Sequence, residues 1–325
     1  MMSFEQYNDI QPHIVKMLKN SYKKNRLSHA YLFEGEKGTQ KKAIAIEFAK
    51  MMYCKDNAKP CDDCLNCSRI MHQNHPNVIV ISPDGNTIKK EQILFLQEEY
   101  TKTTLEKGPK VYIIEHIDRM SVNAINSLLK FIEEPKQDTY IILITETIHR
   151  ILPTITSRCQ VLSFKTVPRK RMIQYLTEHG TTEEIATIVS TMTNDINVAF
   201  DISDDKDLLN IIDLVIEIEE ALIKKNTEPL LLLDRQKFYA SKNKKLVEWF
   251  LDLLLEYNRD IQKVMLGKQS ITFQSQKELI RLASTTYNQD KIIQNINSIL
   301  NAKIKLNYNA NLSLLLDQLM ITLKT

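Results

Sequence analysis

Four of the chain's five cysteines, Cys54, Cys61, Cys64 and Cys67, fall within fourteen residues in a C-x6-C-x2-C-x2-C spacing. Thiolates this close can make a tetrahedral metal cage, a disulfide knot or an iron–sulfur site. A C-x2-C knuckle offers backbone amides that support two thiolates on one metal. Here two overlapping knuckles share Cys64, and Cys54 supplies a fourth sulfur from the end of a preceding helix. The ferredoxin run that begins C-x2-C-x2-C continues to a nearby fourth cysteine before proline. This sequence lacks that continuation and instead carries Asp62 and Asp63 beside the cage. Four thiolates fill a zinc shell without His72 or His75 and leave no open position for water. The expected metal is therefore one structural Zn²⁺ held by Cys54, Cys61, Cys64 and Cys67, with an iron–sulfur cluster or bare thiols as the alternatives. Cys159 is expected as a small buried residue of a short strand.

A second stretch has the placement of a phosphate loop. Gly35-Glu36-Lys37-Gly38-Thr39-Gln40-Lys41-Lys42 follows a short apolar run and opens a helix. Backbone amides at such a junction bind phosphate. A working loop needs glycine before the lysine and Ser or Thr after it to hold Mg²⁺; Gln40 and Lys42 replace them, and an ammonium cannot ligate a cation. Gly35, Gly38 and Lys41 keep their expected places. The strand at 111–114 should end in two acids if ATP is cleaved, one for Mg²⁺ and one to activate water. This chain has Glu115-His116. These departures argue against hydrolysis here. The residues alone leave nucleotide binding open against a plain strand–helix turn with lysines in solvent.

The elements that must position these groups are legible as runs. Ala30 to Phe33, Asn77 to Ser82, Lys110 to Glu115, Tyr140 to Thr145 and the shorter Cys159 to Phe164 read as strands, with Asn77 to Ser82 buried. Helical spacing is found over 10–25, after residue 41, over Lys90–Tyr100 (Ile93, Leu94, Leu96 and Tyr100 inward) and after Ser121, which is placed to cap. Strands alternating with helices imply crossovers and a parallel sheet. After Phe164 the strand signal stops. Short helices broken at Gly180 and near Asn194 follow Pro168, and long amphipathic helices run from about Asp205. The expected organisation is an α/β domain over 1–166 with the cysteine module inserted, a small helical domain over 167–204 and an all-helical domain over 205–325.

Composition sets the frame. The chain has 325 residues with 43% hydrophobic and 26% charged, and a net charge of +3. That charge is too small to imply wholesale nucleic-acid binding. The basic runs Lys23-Lys24-Asn25-Arg26, Lys89-Lys90 and Arg169-Lys170-Arg171 read singly as solvated helix ends. No apolar run reaches the length of a membrane span, and the first residues carry acids where a secretory leader is basic and then apolar. The expected location is the cytoplasm, where thiols stay reduced.

Together the motifs resemble the AAA+ clamp-loader family of bacterial DNA polymerase III, and within it the delta-prime subunits. The matching segments are Leu27-Ser28-His29-Ala30-Tyr31-Leu32-Phe33 before the loop, the four-cysteine module after the loop's helix, and Asn74-His75-Pro76-Asn77. Two more are Asn126-Ser127-Leu128-Leu129-Lys130-Phe131-Ile132-Glu133-Glu134-Pro135 and Ser157-Arg158-Cys159. The likeness is good over about the first 165 residues and beyond them extends only to layout. The last two motifs also occur in the ATPase subunits of the same loader. The damaged loop and the cysteine module are what resemble delta-prime. The resemblance implies an AAA+ P-loop-type sheet domain, a helical lid and a helical C-terminal collar in an incomplete hetero-oligomeric ring with ATP sites at subunit boundaries. It implies gamma/tau and delta as partners, the sliding clamp as an indirect one, and primed DNA within the ring. Arg158 would then act in trans on the γ-phosphate at a neighbour's ATP site, a role suited to a permanent charge with a planar fork. Wide apolar stripes on the last helices suit packing into a collar. The competing readings are an active loader ATPase of gamma/tau type, or a zinc-module nucleic-acid-binding protein outside replication. Low net charge and the lack of an aromatic–basic stripe oppose the latter.

Overall fold

Five short runs, three of them rich in Val, Ile and Tyr, assemble into one parallel sheet. A computed structural model describes residues 4–56, 60–85, 87–101, 106–235, 243–308 and 310–324. The strands are β1 (Ala30–Glu34), β2 (Val78–Ile81), β3 (Lys110–Ile114), β4 (Thr139–Thr145) and β5 (Gln160–Ser163). Their spatial order is β2-β3-β4-β1-β5, every pair parallel. β1 lies centrally, with Leu32 paired to Leu143 on one side and Val161 on the other. Strands buried on both faces need no polar alternation, and Tyr31, Leu32, Phe33 and Val111 to Ile114 are all buried.

The helices of this first unit are α1 (Pro12–Lys23), α2 (Lys41–Tyr53), α3 (Leu65–Met71), α4 (Lys90–Thr101), α5 (Val122–Glu133) and α6 (Pro153–Thr156). Ser121 caps α5 by accepting the Ala124 amide at 3.3 Å. On α4, Ile93 and Leu96 are buried, but Leu94 is 40% exposed. The expectation that Leu94 faces inward is corrected. Residues 93 and 96 share a helix face, whereas 94 is rotated by a full 100° step. The Tyr100 side chain lies outside the described residues. Cys159 precedes β5 and is half-buried against the sheet's core cluster, not fully buried within the strand.

Residues 1–167 form one compact unit and 168–325 a second, all-helical one. The second contains α7 (Arg169–Glu178), α8 (Glu183–Met192), α9 (Ile196–Ser203), α10 (Lys206–Lys224) and α11 (Pro229–Arg235). It continues with α12 (Lys244–Met265), α13 (Lys277–Thr286), α14 (Gln289–Asn307) and α15 (Leu312–Lys324). α12 is its central helix, packed on α8, α10, α13 and α14. The Arg169 guanidinium donates to Ser190 Oγ and Thr272 Oγ1, so one member of the third basic run is tied into this unit's interior hydrogen bonds. No helix among the described residues is long and apolar enough to cross a membrane.

Candidate functional site

Helix α2 delivers Cys54 and helix α3 delivers Cys67; the turn between them carries Cys61 and Cys64. Cys54 is the first residue past α2, its amide still bonded to the Lys50 carbonyl at 2.8 Å. Cys64 caps α3, its sulfur accepting the Cys67 amide at 3.5 Å. All four are free thiols, and their sulfurs lie within 4.8 Å of one another. Zinc at about 2.3 Å from each sulfur of a tetrahedron spaces the sulfurs by about 3.8 Å, so a contraction of roughly 1 Å at most closes the shell. The donor set fits a single structural zinc site. The amides of Cys64 and Asp63 point at the Cys61 sulfur and bring its thiol down to about 7. Burial pushes Cys54 and Cys67 upward. A cation supplied between these sulfurs would meet one thiol already inclined to ionise, Cys61, and two, Cys54 and Cys67, whose ionisation it must assist.

Beside the module, two charges sit inside helix α2. Lys50 Nζ donates to Glu47 Oε1 at 2.6 Å and to Asp62 Oδ1 at 2.9 Å, and the Lys50 side chain is 1% exposed. Burial pulls Lys50 down, but its two carboxylate partners outweigh that and hold it above the ordinary lysine value. Burial raises Glu47. His75, which follows α3, is also buried. Its ring packs against Tyr53 at a 51° tilt with centroids 4.3 Å apart, and it accepts the Asn77 amide on Nδ1 at 3.2 Å. It is not gathered with the four sulfurs.

The phosphate-loop candidate follows β1 directly. Gly35 (φ +151°) passes so close to β5's end that a Cβ there would lie 2.5 Å from the Phe164 carbonyl oxygen. Its glycine is thus required by packing, whatever the loop binds. Gly38 and Gln40 are left-handed, at φ +86° and +67°. Lys41 is buried, and its ammonium turns back onto the loop, donating to the carbonyls of Gly35 (2.6 Å) and Glu36 (2.7 Å) and to Thr39 Oγ1 (3.1 Å). Lys42, in the position of the Mg²⁺-binding hydroxyl, forms an ion pair with Glu115 Oε1 at 2.6 Å. Ser82 Oγ donates to the same oxygen at 2.6 Å. The carboxylate that would bind a metal is therefore engaged by an internal cation and a hydroxyl. His116, where a second acid would stand, has a left-handed backbone (φ +51°) and a buried Nδ1 with no hydrogen-bond partner among the described residues.

Arg158 lies apart from both features, after α6 and before β5. Its guanidinium is 3.1 Å from Glu133 Oε1 and donates to the Thr154 carbonyl at 3.0 Å. Both side chains of the pair are more than 40% exposed. Exposed pairs of this kind contribute little, about 0–1 kcal/mol, so a stronger anion can draw the arginine away.

Residues 10–168 match the family model described as "DNA polymerase III, delta subunit". The chain is 38% identical to DNA polymerase III subunit delta' of Bacillus subtilis over 325 residues, covering 99% of both chains. It belongs to the delta-prime family of DNA polymerase III subunits. A delta-prime subunit of Pseudomonas aeruginosa is 37% identical over 41% of this chain and 42% of its own length. Bacillus subtilis subunit tau is 34% identical over 52% of this chain but only 31% of its own. A gamma subunit-related protein from Thermotoga maritima has the same fold, with TM-score 0.50 and 16% identity over 94% of this chain and 98% of its own.

Two residues that shape the site of this delta-prime chain, Gln11 and Thr145, are not singled out by the sequence motifs. Gln11 donates from Nε2 to the carbonyls of Thr39 (3.3 Å) and Lys165 (2.6 Å), tying the loop to the segment after β5. Thr145, fully buried at the carboxyl end of β4, donates to Asp118 Oδ1 at 2.8 Å and accepts the Thr147 amide. Carboxyl ends of parallel strands are where ligands bind in such sheets, and a hydroxyl at that place was the available signal for Thr145. Gln11 carries no sequence signal. Of the basic runs, Lys89 is paired with Asp84 at 2.6 Å.

Proposed function

We propose that this delta-prime chain works as a non-hydrolysing subunit of the DNA polymerase III clamp loader, supplying Arg158 to the ATP site of a neighbouring subunit. The observation that carries the reading is the Lys42–Glu115 ion pair at the position where Mg²⁺ would be held. Phosphoryl transfer runs on positioning and on metal-assisted charge stabilisation. A chain whose metal carboxylate is neutralised internally, and whose loop lysine is bonded to its own loop, has a structural job in the ring.

In this reading the chemistry occurs next door. One guanidinium nitrogen of Arg158, Nη1, donates to the Thr154 carbonyl and the other, Nη2, is held loosely by Glu133; a γ-phosphate of a partner would displace these exposed contacts and accept from the planar fork. The partners are gamma/tau ATPase subunits and delta, in a cytoplasmic hetero-oligomer that loads the sliding clamp on primed DNA. Residues 167–204 serve as the lid and 205–325 as the collar. Cys54, Cys61, Cys64 and Cys67 hold one Zn²⁺, which closes the segment between α2 and α3 and supplies no Lewis-acid chemistry, since four protein sulfurs leave no open position.

The test is reconstitution with gamma/tau and delta. The wild-type chain alone should release no phosphate from ATP, and the assembled loader should be stimulated by primed DNA. ATP turnover by the purified chain that is abolished by Lys41→Ala would favour the gamma/tau-type alternative instead.

A further inference from the structure

Helix α2 carries an ion pair inside an apolar face. Its neighbours Ile44, Ile46, Phe48 and Met51 are buried, and so are Glu47 and Lys50. Buried pairs of this kind are poor stabilisers, because apolar residues of similar volume commonly do as well or better. What an apolar residue cannot do is reach Asp62, to which Lys50 donates at 2.9 Å.

Asp62 sits inside the first knuckle, between Cys61 and Cys64, and its backbone is left-handed at φ +64°. L residues adopt that conformation rarely, and it needs local support. The turn it makes aims three amides. Its own N–H points at the Cys67 sulfur, and the next two, of Asp63 and Cys64, point at the Cys61 sulfur. Lys50 also acts at the other end of the segment, since its carbonyl accepts the Cys54 amide. One residue thus touches the module where it leaves α2 and, through Asp62, where it folds around two further sulfurs.

We propose that Lys50 is a positioning residue of the metal site: by anchoring Asp62 it holds the knuckle amides on Cys61 and Cys67, and so sets how tightly and how long Zn²⁺ is retained. The inference rests on the zinc reading of the four cysteines. Outer-shell groups that orient ligands change metal affinity by about 10- to 100-fold. The buried ammonium also places a cation beside a cage that carries net negative charge once four thiolates surround one dication.

The test uses the full chain, purified with zinc, with release followed by transfer to a chromogenic chelator and geometry by the ligand-field bands of the Co²⁺-substituted protein. Asp62→Ala, at a partly exposed position, removes the anchor and leaves the buried pair intact. Lys50→Met combined with Glu47→Leu removes the anchor from the other side without stranding a buried carboxylate. Both are expected to release zinc about 10- to 100-fold faster than wild type, with far-UV circular dichroism unchanged. Asp62→Gly also lacks the anchor, but glycine takes positive φ unaided, so it should stay close to wild type. Wild-type retention in Asp62→Ala and in the double variant overturns the proposal. So does a loss in Asp62→Gly as large as in Asp62→Ala. A wild-type chain that takes up neither zinc nor cobalt overturns the metal reading itself, and is recognised before any variant is compared.

Discussion

Lys42 and Glu115, 73 positions apart in sequence, meet at 2.6 Å across the carboxyl edge of the sheet. Lys42 stands on the first turn of α2 and Glu115 directly after β3, the two places from which a nucleotide-cleaving sheet would hold its metal. An ammonium there satisfies the carboxylate without water or ligand. Mg²⁺ needs an octahedron of oxygens and gives up its waters reluctantly, so to bind there it must first displace the Lys42 ammonium from the buried Glu115 carboxylate.

Reversing the substitutions should reopen the loop. Gln40→Gly with Lys42→Thr frees Glu115 and restores both the backbone freedom and the hydroxyl that a phosphate loop requires. The expected outcome is Mg²⁺-dependent nucleotide binding at least about 10-fold tighter than wild type, or about 1.4 kcal/mol, by fluorescence anisotropy of a labelled nucleotide. Hydrolysis should still be absent, since His116 stands where the second acid is needed. Equal affinity in the two proteins would mean that Lys42 does not guard the site.

Arg158→Ala should leave assembly intact and remove one site's catalysis. A trans-acting arginine is worth about 10³-fold or more in rate at the site it serves. The reconstituted loader should therefore lose that site's share of DNA-stimulated phosphate release, with unchanged elution on gel filtration. Arg158→Lys should not rescue, because an ammonium lacks the planar fork. Unchanged turnover with Arg158→Ala would sink the assignment.

The fold was legible because its inner strands are buried: Val111 to Ile114 and Ile141 to Ile144 read as unbroken apolar runs, as parallel strands covered on both faces do, and the edge run Val78 to Ile81 is apolar although its middle residues are half-buried. The cysteine module was legible because metal spacing is local. What stayed hidden was every relationship closed by the fold. Lys42 was visible as a departure from the loop motif and Glu115 as the first acid of the pair, but not as partners. Arg158 was visible, while its contact with Glu133 depends on how α5 ends beside the segment before β5. Glu47 and Lys50 left a trace, two charges three apart on an apolar helix, yet Asp62 as their third member required the turn itself. Leu94 was misassigned because in a helix with four apolar residues in a row, only geometry decides which two face the sheet.

Gly35→Ala should destabilise the chain even without any nucleotide. The position has φ +151°, and an added Cβ would be 2.5 Å from the Phe164 carbonyl oxygen, a backbone atom that cannot swing away. Strained positions of this kind cost about 1–3 kcal/mol. The urea transition of the unit that holds Gly35, residues 1–167, should move to lower concentration by a corresponding amount. A neutral substitution would show that the loop and the end of β5 separate easily.

Glu219 gives the second unit a pH dependence. It lies on α10 at 1% exposure, accepts from Asn258 Nδ2 of α12 at 2.6 Å, and has the phenols of Tyr257 and Tyr287 as neighbours. Burial pushes its carboxyl up to about 8 from an ordinary 4.5, against the smaller opposing effect of the Asn258 hydrogen bond. The folded chain therefore binds a proton that the unfolded chain releases above about pH 4.5. Stability from this group is fully present below that pH, declines as pH rises, and is gone once pH passes about 8. Glu219→Gln keeps the acceptor for Asn258 and removes the titration. The stability difference between variant and wild type should then grow in the variant's favour from pH 6 to pH 8, by about 1.4 kcal/mol per pH unit at the steepest. Thermal unfolding of the zinc-saturated full chain at constant ionic strength measures it, and the comparison at each pH cancels the effect of pH on the thiolates. A difference independent of pH would place the Glu219 carboxyl near its ordinary value and its charge inside the bundle.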